Sequence, residues 1–344
     1  AMSSMMKATV LIAVFAHASQ GSRVGTARRA HPMLLRATGA TTTGDEFRSC
    51  ISRDGSVSAK AIVATTLVAD LTGKQGCLPL ASAALGRAMI CALLCADGVK
   101  GEESVQLRFN GDGPLRGVLA IANGNLEVKG YVGNPRVALP PKPNGKIDVS
   151  AGVGKGQLFV VRTKQLPGED DPSIYSSITE LTSSEIAEDV NQYLAESEQK
   201  QGALAAGVFV GGDQAVSAAC GWQVQLLPFA DEATVARLEQ NLAALADLSP
   251  TKMVQAGMRP SDILSALLDG LEPEFFDARE PTAQPCCSDE RAWRTLALLP
   301  RAEVAQIMRE NDKIEIRCEF CTTTRTLTHE QIRERLAMDS PPLL

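Results

Sequence analysis

Apolar residues change their spacing several times along this chain, and each change predicts a different element. "FRSCISRDGSVSAKAIV" opens with a short strand pattern, and apolar residues at Ile62, Val63, Leu67, Val68 and Leu71 then predict a helix stopped by Gly73 and Gly76. "LPLASAALGRAMICALLCADG", rich in Ala and Leu and ended by Gly98, predicts a second helix. The period then shortens to two. Val105, Leu107 and Phe109 alternate with Gln106 and Arg108, and residues 118–121 and 126–132 continue as strands around an Asn123-Gly124-Asn125 turn, an antiparallel meander. Two more strands are expected around 149–153 and 157–163. A helix carrying Ile186, Val190 and Leu194 follows a capping box of Thr182 and Glu185. "GALAAGVFVG" and "GWQVQLLP" read as strands ending at Pro228.

From residue 229 the pattern turns helical and amphipathic. Leu238, Leu242, Leu245 and Leu248 form one stripe, Ile263, Leu264, Leu267 and Leu268 another, and Pro250, Pro260 and Pro273 break the segment. Those breaks and its high charge make it less firmly tied than the sheet domain and able to detach. The last segment begins at Cys286. Ser288 is placed to cap a helix over 289–299, a second helix runs to about Asn311, and "KIEIRCEFCTTTRTL" reads as strand, cysteine knuckle and return strand. Thr328 and Gln331 form a capping box for a final helix. The expected fold is α+β. It comprises a mixed sheet-and-helix core domain over 45–228, a helical linker over 229–283, a small C-terminal zinc-binding module over 284–336 and a tail over 337–344.

Charge separates the first 44 residues from the rest. They hold Lys7, Arg23, Arg28, Arg29 and Arg36 and no acid; the remaining 29 basic residues of the total 34 face all 40 acidic ones, a net of −11. An acidic body repels phosphate backbones, and aromatics at 4% leave little for base stacking, so nucleic acid is not an expected partner. No uninterrupted apolar run reaches the roughly 18 residues of a membrane span. Residues 5–18, with Lys7 before an apolar stretch and Ala16-His17-Ala18 at its end, resemble a signal peptide. Residues 19–44 are basic, rich in hydroxyls and acid-free, like a transit peptide. The tandem resembles the bipartite leaders of proteins bound for complex plastids, with a mitochondrial leader or a plain tail as alternatives.

Nine cysteines fall into two sets. Cys50, Cys77, Cys91, Cys95 and Cys220 are scattered among apolar or small residues, and Cys91 and Cys95, four apart on a buried helix face, read as core. Cys286, Cys287, Cys318 and Cys321 are paired within the last 60 residues, which suits metal thiolates better than a disulfide framework. The Cys318-Glu319-Phe320-Cys321 spacing lets two sulfurs face one point, and two such pairs close a tetrahedral zinc site. Adjacent Cys286 and Cys287 reach one metal only from irregular backbone, so the fourth ligand stays open between Cys286, His329 and water. Spacing alone allows a structural staple, or a switch in which an oxidant ejects the metal and unfolds the module. "NGDGP" at 110–114 has no following helix and reads as turn chemistry, not a phosphate loop.

Four stretches carry a family resemblance: "QLRFNGDGPLRGVLAIANGNLEVKGYV", "GWQVQLLP", "CCSDERAWRTLALLP" and "IEIRCEFC". With the order of core, linker and cysteine module, they resemble the heat shock protein 33 family of redox-regulated holdase chaperones over roughly residues 45–336. The family pattern is CxC followed by CxxC. Cys287, Cys318 and Cys321 carry over directly; Pro285 stands where the first cysteine belongs, and Cys286 occupies the spacer position. The resemblance implies an ATP-independent chaperone, not an enzyme, that holds one Zn2+ per chain when reduced. Oxidation would form Cys318–Cys321 first and then Cys286–Cys287 or a substitute. The zinc module and then the linker would unfold, exposing surface for unfolding client proteins, and the active form would dimerise. The alternatives are a thiol–disulfide oxidoreductase, for which the CxxC speaks weakly because it lies on a hairpin, and a static zinc module for protein contact.

Overall fold

The computed structural model describes residues 44–165 and 172–336. The expected leader up to residue 43 and the expected tail over 337–344 lie outside the described residues. The chain divides into two units between Gln284 and Pro285.

The first unit is built on two antiparallel sheets. One contains β1 (Glu46–Ser52), β2 (Val57–Val63), β8 (Gly202–Val210), β9 (Val216–Leu226) and β10 (Pro273–Phe275), in the order β10-β1-β2-β9-β8. The other contains β3 (Ser104–Gly111), β4 (Val118–Asn123), β5 (Glu127–Val132), β6 (Gly156–Lys164), β7 (Ser173–Glu180) and β11 (Thr282–Ala283), in the order β11-β5-β4-β3-β6-β7. Among the strands of the described residues, β11 on β5 is the one parallel pairing. Helix α1 (Thr65–Lys74) and the long helix α2 (Pro79–Ala96) lie in the core that both sheets share. Among the described residues α2 is the one helix long and apolar enough to span a membrane, yet 89% of it is buried inside the protein. Gly86 lets α2 approach closely, because a Cβ there would meet Val68 and Val208 at 2.7 and 2.8 Å. Cys91 and Cys95 point into this core, as their spacing suggests.

Helices α3 (Val149–Val153) and α4 (Ala187–Glu196) complete that layer. The expected strand over 149–153 is a helical turn instead. Val149 and Val153 are buried four residues apart while Ala151 is exposed, and the Asp148 carboxylate accepts the Ala151 N–H. Ile62 and Val63, expected in a helix, end β2, and the helix starts at Thr65. The Thr182–Glu185 capping box does not form. The buried Asp189 carboxylate accepts the N–H groups of Thr182 and Ser183, each at 2.9 Å, and holds Ile186 at φ 72°, while Glu185 pairs with Arg87 and Lys142. The glycines of "NGDGP" serve close packing. A Cβ on Gly111 would lie 1.9 Å from the Val153 carbonyl oxygen.

Helices α5 (Glu232–Ala244), α6 (Pro250–Gln255) and α7 (Pro260–Leu267) cover the other face of the first sheet. Pro250 and Pro260 start α6 and α7, where their missing N–H costs nothing. Leu238, Leu242, Leu245, Ile263, Leu264, Leu267 and Leu268 are buried there against Cys50, Ala59, Ala61, Trp222 and Val224, with Leu248 partly buried. At roughly 1.5–3 kcal/mol per buried aliphatic side chain, this second core is substantial. Burying it silences Cys50, whose thiol is pushed up to about 12 by desolvation.

Candidate metal centre

The second unit begins at Pro285. It holds α8 (Asp289–Ala297), α9 (Arg301–Glu310), the hairpin β12 (Lys313–Arg317) and β13 (Thr324–Thr328), and α10 (His329–Leu336). Its start signals are local and form as expected. Ser288 accepts the Arg291 N–H at 3.2 Å, and Thr328 and Gln331 cap each other reciprocally. Its apolar core is small: Leu296, Val304, Ile314, Leu327 and Ile332, with Trp293, Ile307, Met308, Ile316 and Leu336 partly buried around it. Five buried side chains do not hold a module of this size, so it needs a staple.

The staple site is the cysteine cluster. Cys318 and Cys321 sit on the connection between β12 and β13. The knuckle closes through Thr322 N–H to the Cys318 carbonyl at 2.8 Å and Cys318 N–H to the Thr323 carbonyl at 3.0 Å, with Thr322 in the left-handed region at φ 58°. Cys286 and Cys287 lie on irregular backbone over 284–288, ahead of α8. That irregularity lets two adjacent side chains turn the same way. All four sulfurs lie within 4.8 Å of one another, all four residues are half-buried, and all nine thiols of the chain are free. In a tetrahedral zinc thiolate, Zn–S bonds of about 2.3 Å place the sulfurs roughly 3.8 Å apart, so the cluster fits such an ion. His329 is not part of it. Its Nε2 is 2.7 Å from the Asn311 carbonyl oxygen, because His329 begins α10 and faces the end of α9.

Electrostatics divides the thiols. Burial and the neighbouring sulfurs raise Cys286 to about 12. Burial also opposes ionisation of Cys321. Hydrogen bonds from Thr323, Cys287 and Cys286 outweigh it and bring that thiol down to about 6. Cys287 is raised by sharing a hydrogen with Cys321 and by burial, against the pull of the Arg325 guanidinium. Arg325 was not singled out in the sequence. It pairs with Asp289 in the first turn of α8 and so ties the hairpin to the helix that follows Cys287. Its signal was its place on the inner face of β13, two residues before buried Leu327.

Comparison with known proteins gives the chain a family. The model of the Hsp33 protein family matches residues 45–328. The chain is a member of the Hsp33 family. The 33 kDa chaperonin of Symbiobacterium thermophilum is 42% identical over 290 residues, 84% of this chain and 96% of that protein. That of Acaryochloris marina is 40% identical over 292 residues, 84% of this chain and 95% of that protein. The crystal structure of the 33 kDa chaperonin (heat shock protein 33 homolog) of Thermotoga maritima superposes with a TM-score of 0.76 at 31% identity, covering 85% of this chain and 98% of that one. As an Hsp33 family member, the chain carries its cysteine cluster with Pro285 and Cys286 in place of the CxC pattern.

Proposed function

We propose that this chain is a redox-regulated, ATP-independent holdase, which binds unfolding proteins when its cysteine module is oxidised. The carrying observation is the convergence of four sulfurs in a module whose own core is too small to hold it, joined by the strap of β10 and β11 to a helical segment that covers an apolar sheet face. Zinc bound by Cys286, Cys287, Cys318 and Cys321, one ion per chain, supplies folding energy to the module and keeps its ligands as thiolates. Cys321, with its depressed pKa, is the thiol best prepared to meet an oxidant. Two thiolates give two electrons to a peroxide, which takes two protons from solvent, so one disulfide and two waters form and the ligand set is lost. The module unfolds, the helical segment α5–α7 detaches in turn, and the faces around Trp222 and Leu264 open to clients. Two oxidised chains associate through surfaces opened in this way.

The test measures aggregation of a heat-unfolded client beside the reduced and the peroxide-treated full chain, with zinc and free thiols counted in the same samples. Protection that rises as zinc leaves is expected. Zinc release without protection overturns the reading. Turnover of a model disulfide would favour an oxidoreductase, a reading the site supports poorly because Cys318 follows a strand and not a helix N-terminus. For residues 1–44 we propose a plastid leader; import of a fusion carrying them into isolated plastids, but not mitochondria, is the expected result.

A further inference from the structure

Between β10 and β11 the chain crosses from the first sheet to the second, just before the cysteine module begins. β10 pairs with β1, Cys50 opposite Phe275. β11 lies along β5, and the N–H groups of Thr282 and Gln284 donate to the carbonyls of Leu126 and Val128 at 3.0 and 2.8 Å. Arg279 sits midway. Its backbone exchanges two hydrogen bonds with Phe47, at 2.8 and 2.9 Å, and its guanidinium lies over the Phe47 ring, 4.9 Å from the centroid. The same guanidinium pairs with the Asp97 carboxylate, whose other oxygen is 3.2 Å from Lys60 Nζ. Phe47 is fully buried and the Asp97 side chain is 15% exposed. The Arg279 side chain is 41% exposed, so its hold rests on the ring face, the carboxylate and the paired backbone hydrogen bonds together and not on the ion pair alone.

We propose that Arg279 is a positioning residue that latches the 273–284 strap, and that this latch keeps α5–α7 on the first sheet until the cysteine module has unfolded. The inference rests on the holdase reading. Its basis is the order of attachments. Once the module from Pro285 onward is loose, detachment of the strap starts at Gln284. It meets the two-residue strand β11 first, which frays easily on its own. Arg279 comes next, then β10, and α7 lies a few residues beyond. While Arg279 holds, the end of α7 stays tethered and Leu264 and Leu267 stay buried. Losing the Arg279 contacts lowers the barrier between a frayed β11 and release of the helices, leaving β10 and the buried leucines to oppose it.

The full chain, reduced and zinc-loaded, is compared as wild type, Arg279→Met, Arg279→Gln and Arg279→Lys. The readouts are zinc per chain, client protection without oxidant, and amide exchange in α5–α7 and in α2. Met and Gln are expected to keep the zinc and to protect client without oxidant. They should also exchange α5–α7 about tenfold faster with α2 unchanged. Lys keeps the charge and should recover much of the wild-type behaviour. Silence of Met and Gln without oxidant, with wild-type exchange in α5–α7, overturns the latch. So does faster exchange that includes α2, since that is general destabilisation. If wild type releases zinc under peroxide and still protects nothing, the holdase reading fails instead.

Discussion

The Sγ atoms of Cys287 and Cys321 lie 3.1 Å apart, although 34 residues separate them in the chain. A disulfide needs about 2.05 Å, so a small closing motion joins them. Joining Cys286 to Cys287 instead would close a strained ring through one peptide bond. Peptide mapping after brief peroxide treatment is expected to find Cys287 linked to the knuckle, at Cys321, and not to Cys286. A dominant Cys286–Cys287 product contradicts this.

Cys286 replaces a residue one position earlier in the family pattern, yet its sulfur joins the cluster, and His329 does not. Cys286→Ser is expected to weaken zinc retention at least as much as loss of an outer-shell partner does, about 10–100-fold. His329→Ala should leave it unchanged. Competition with a chromogenic chelator measures both, and the reverse order would reassign the fourth ligand.

Removing the metal exposes the opposite shifts of two thiols. Cys321 is held at about 6 against an ordinary 9.0, so its contribution to the stability of the folded, metal-free module is present above 9.0 and lost as pH falls toward 6. Cys286 is raised to about 12, so its contribution is present below 9.0 and lost as pH rises toward 12. Amide protection of β12 and β13 in chelated, reduced protein should therefore be greatest near pH 9. A steady decline from pH 6 upward would show that the Cys321 thiolate is not stabilised.

Leu264 is fully buried between α7 and the first sheet. Leu264→Ala should loosen the docked helices by about 2–5 kcal/mol, the usual range for a buried leucine. Faster exchange in α5–α7 and client protection without oxidant are the expected outcomes. Thermal unfolding of the α2 core should shift little, because Leu264 belongs to the other cluster.

Local signals were legible in the chain, and long-range ones were not. Ser288 and the Thr328–Gln331 pair state their roles within four residues, and the structure forms both caps. β10 and β11 escaped notice because they are short and defined by partners far away in sequence, and β7 because its side chains are mostly exposed and leave no clean apolar alternation. The 149–153 stretch was ambiguous by its own spacing, since Val149, Ala151 and Val153 suit period two while Val149 and Val153 suit one helical turn. At the site, residue types pointed to a thiolate cluster, but adjacency argued against Cys286. The irregular backbone over 284–288 brings the Cys286 sulfur into the cluster, and no periodicity announces it. Arg279 acts through contacts with residues far away in sequence, Phe47 and Asp97, and leaves no local pattern to read; Arg325 left only its alternation with buried Leu327.

The burial of Cys50 beneath α5–α7 turns the thiols of the chain into a depth gauge. Cys286, Cys287, Cys318 and Cys321 become open to an alkylating reagent when the module opens. Cys50 joins them when the helices leave the first sheet. Cys220, on the same face of β9 as Trp222, joins at that same step, the half-buried Cys77 is set apart as the background label, and Cys91 and Cys95, shut in the α2 core, wait for that core to come apart. The number of labels carried by one molecule, read as a step in its mass, therefore records how far inward the opening has travelled.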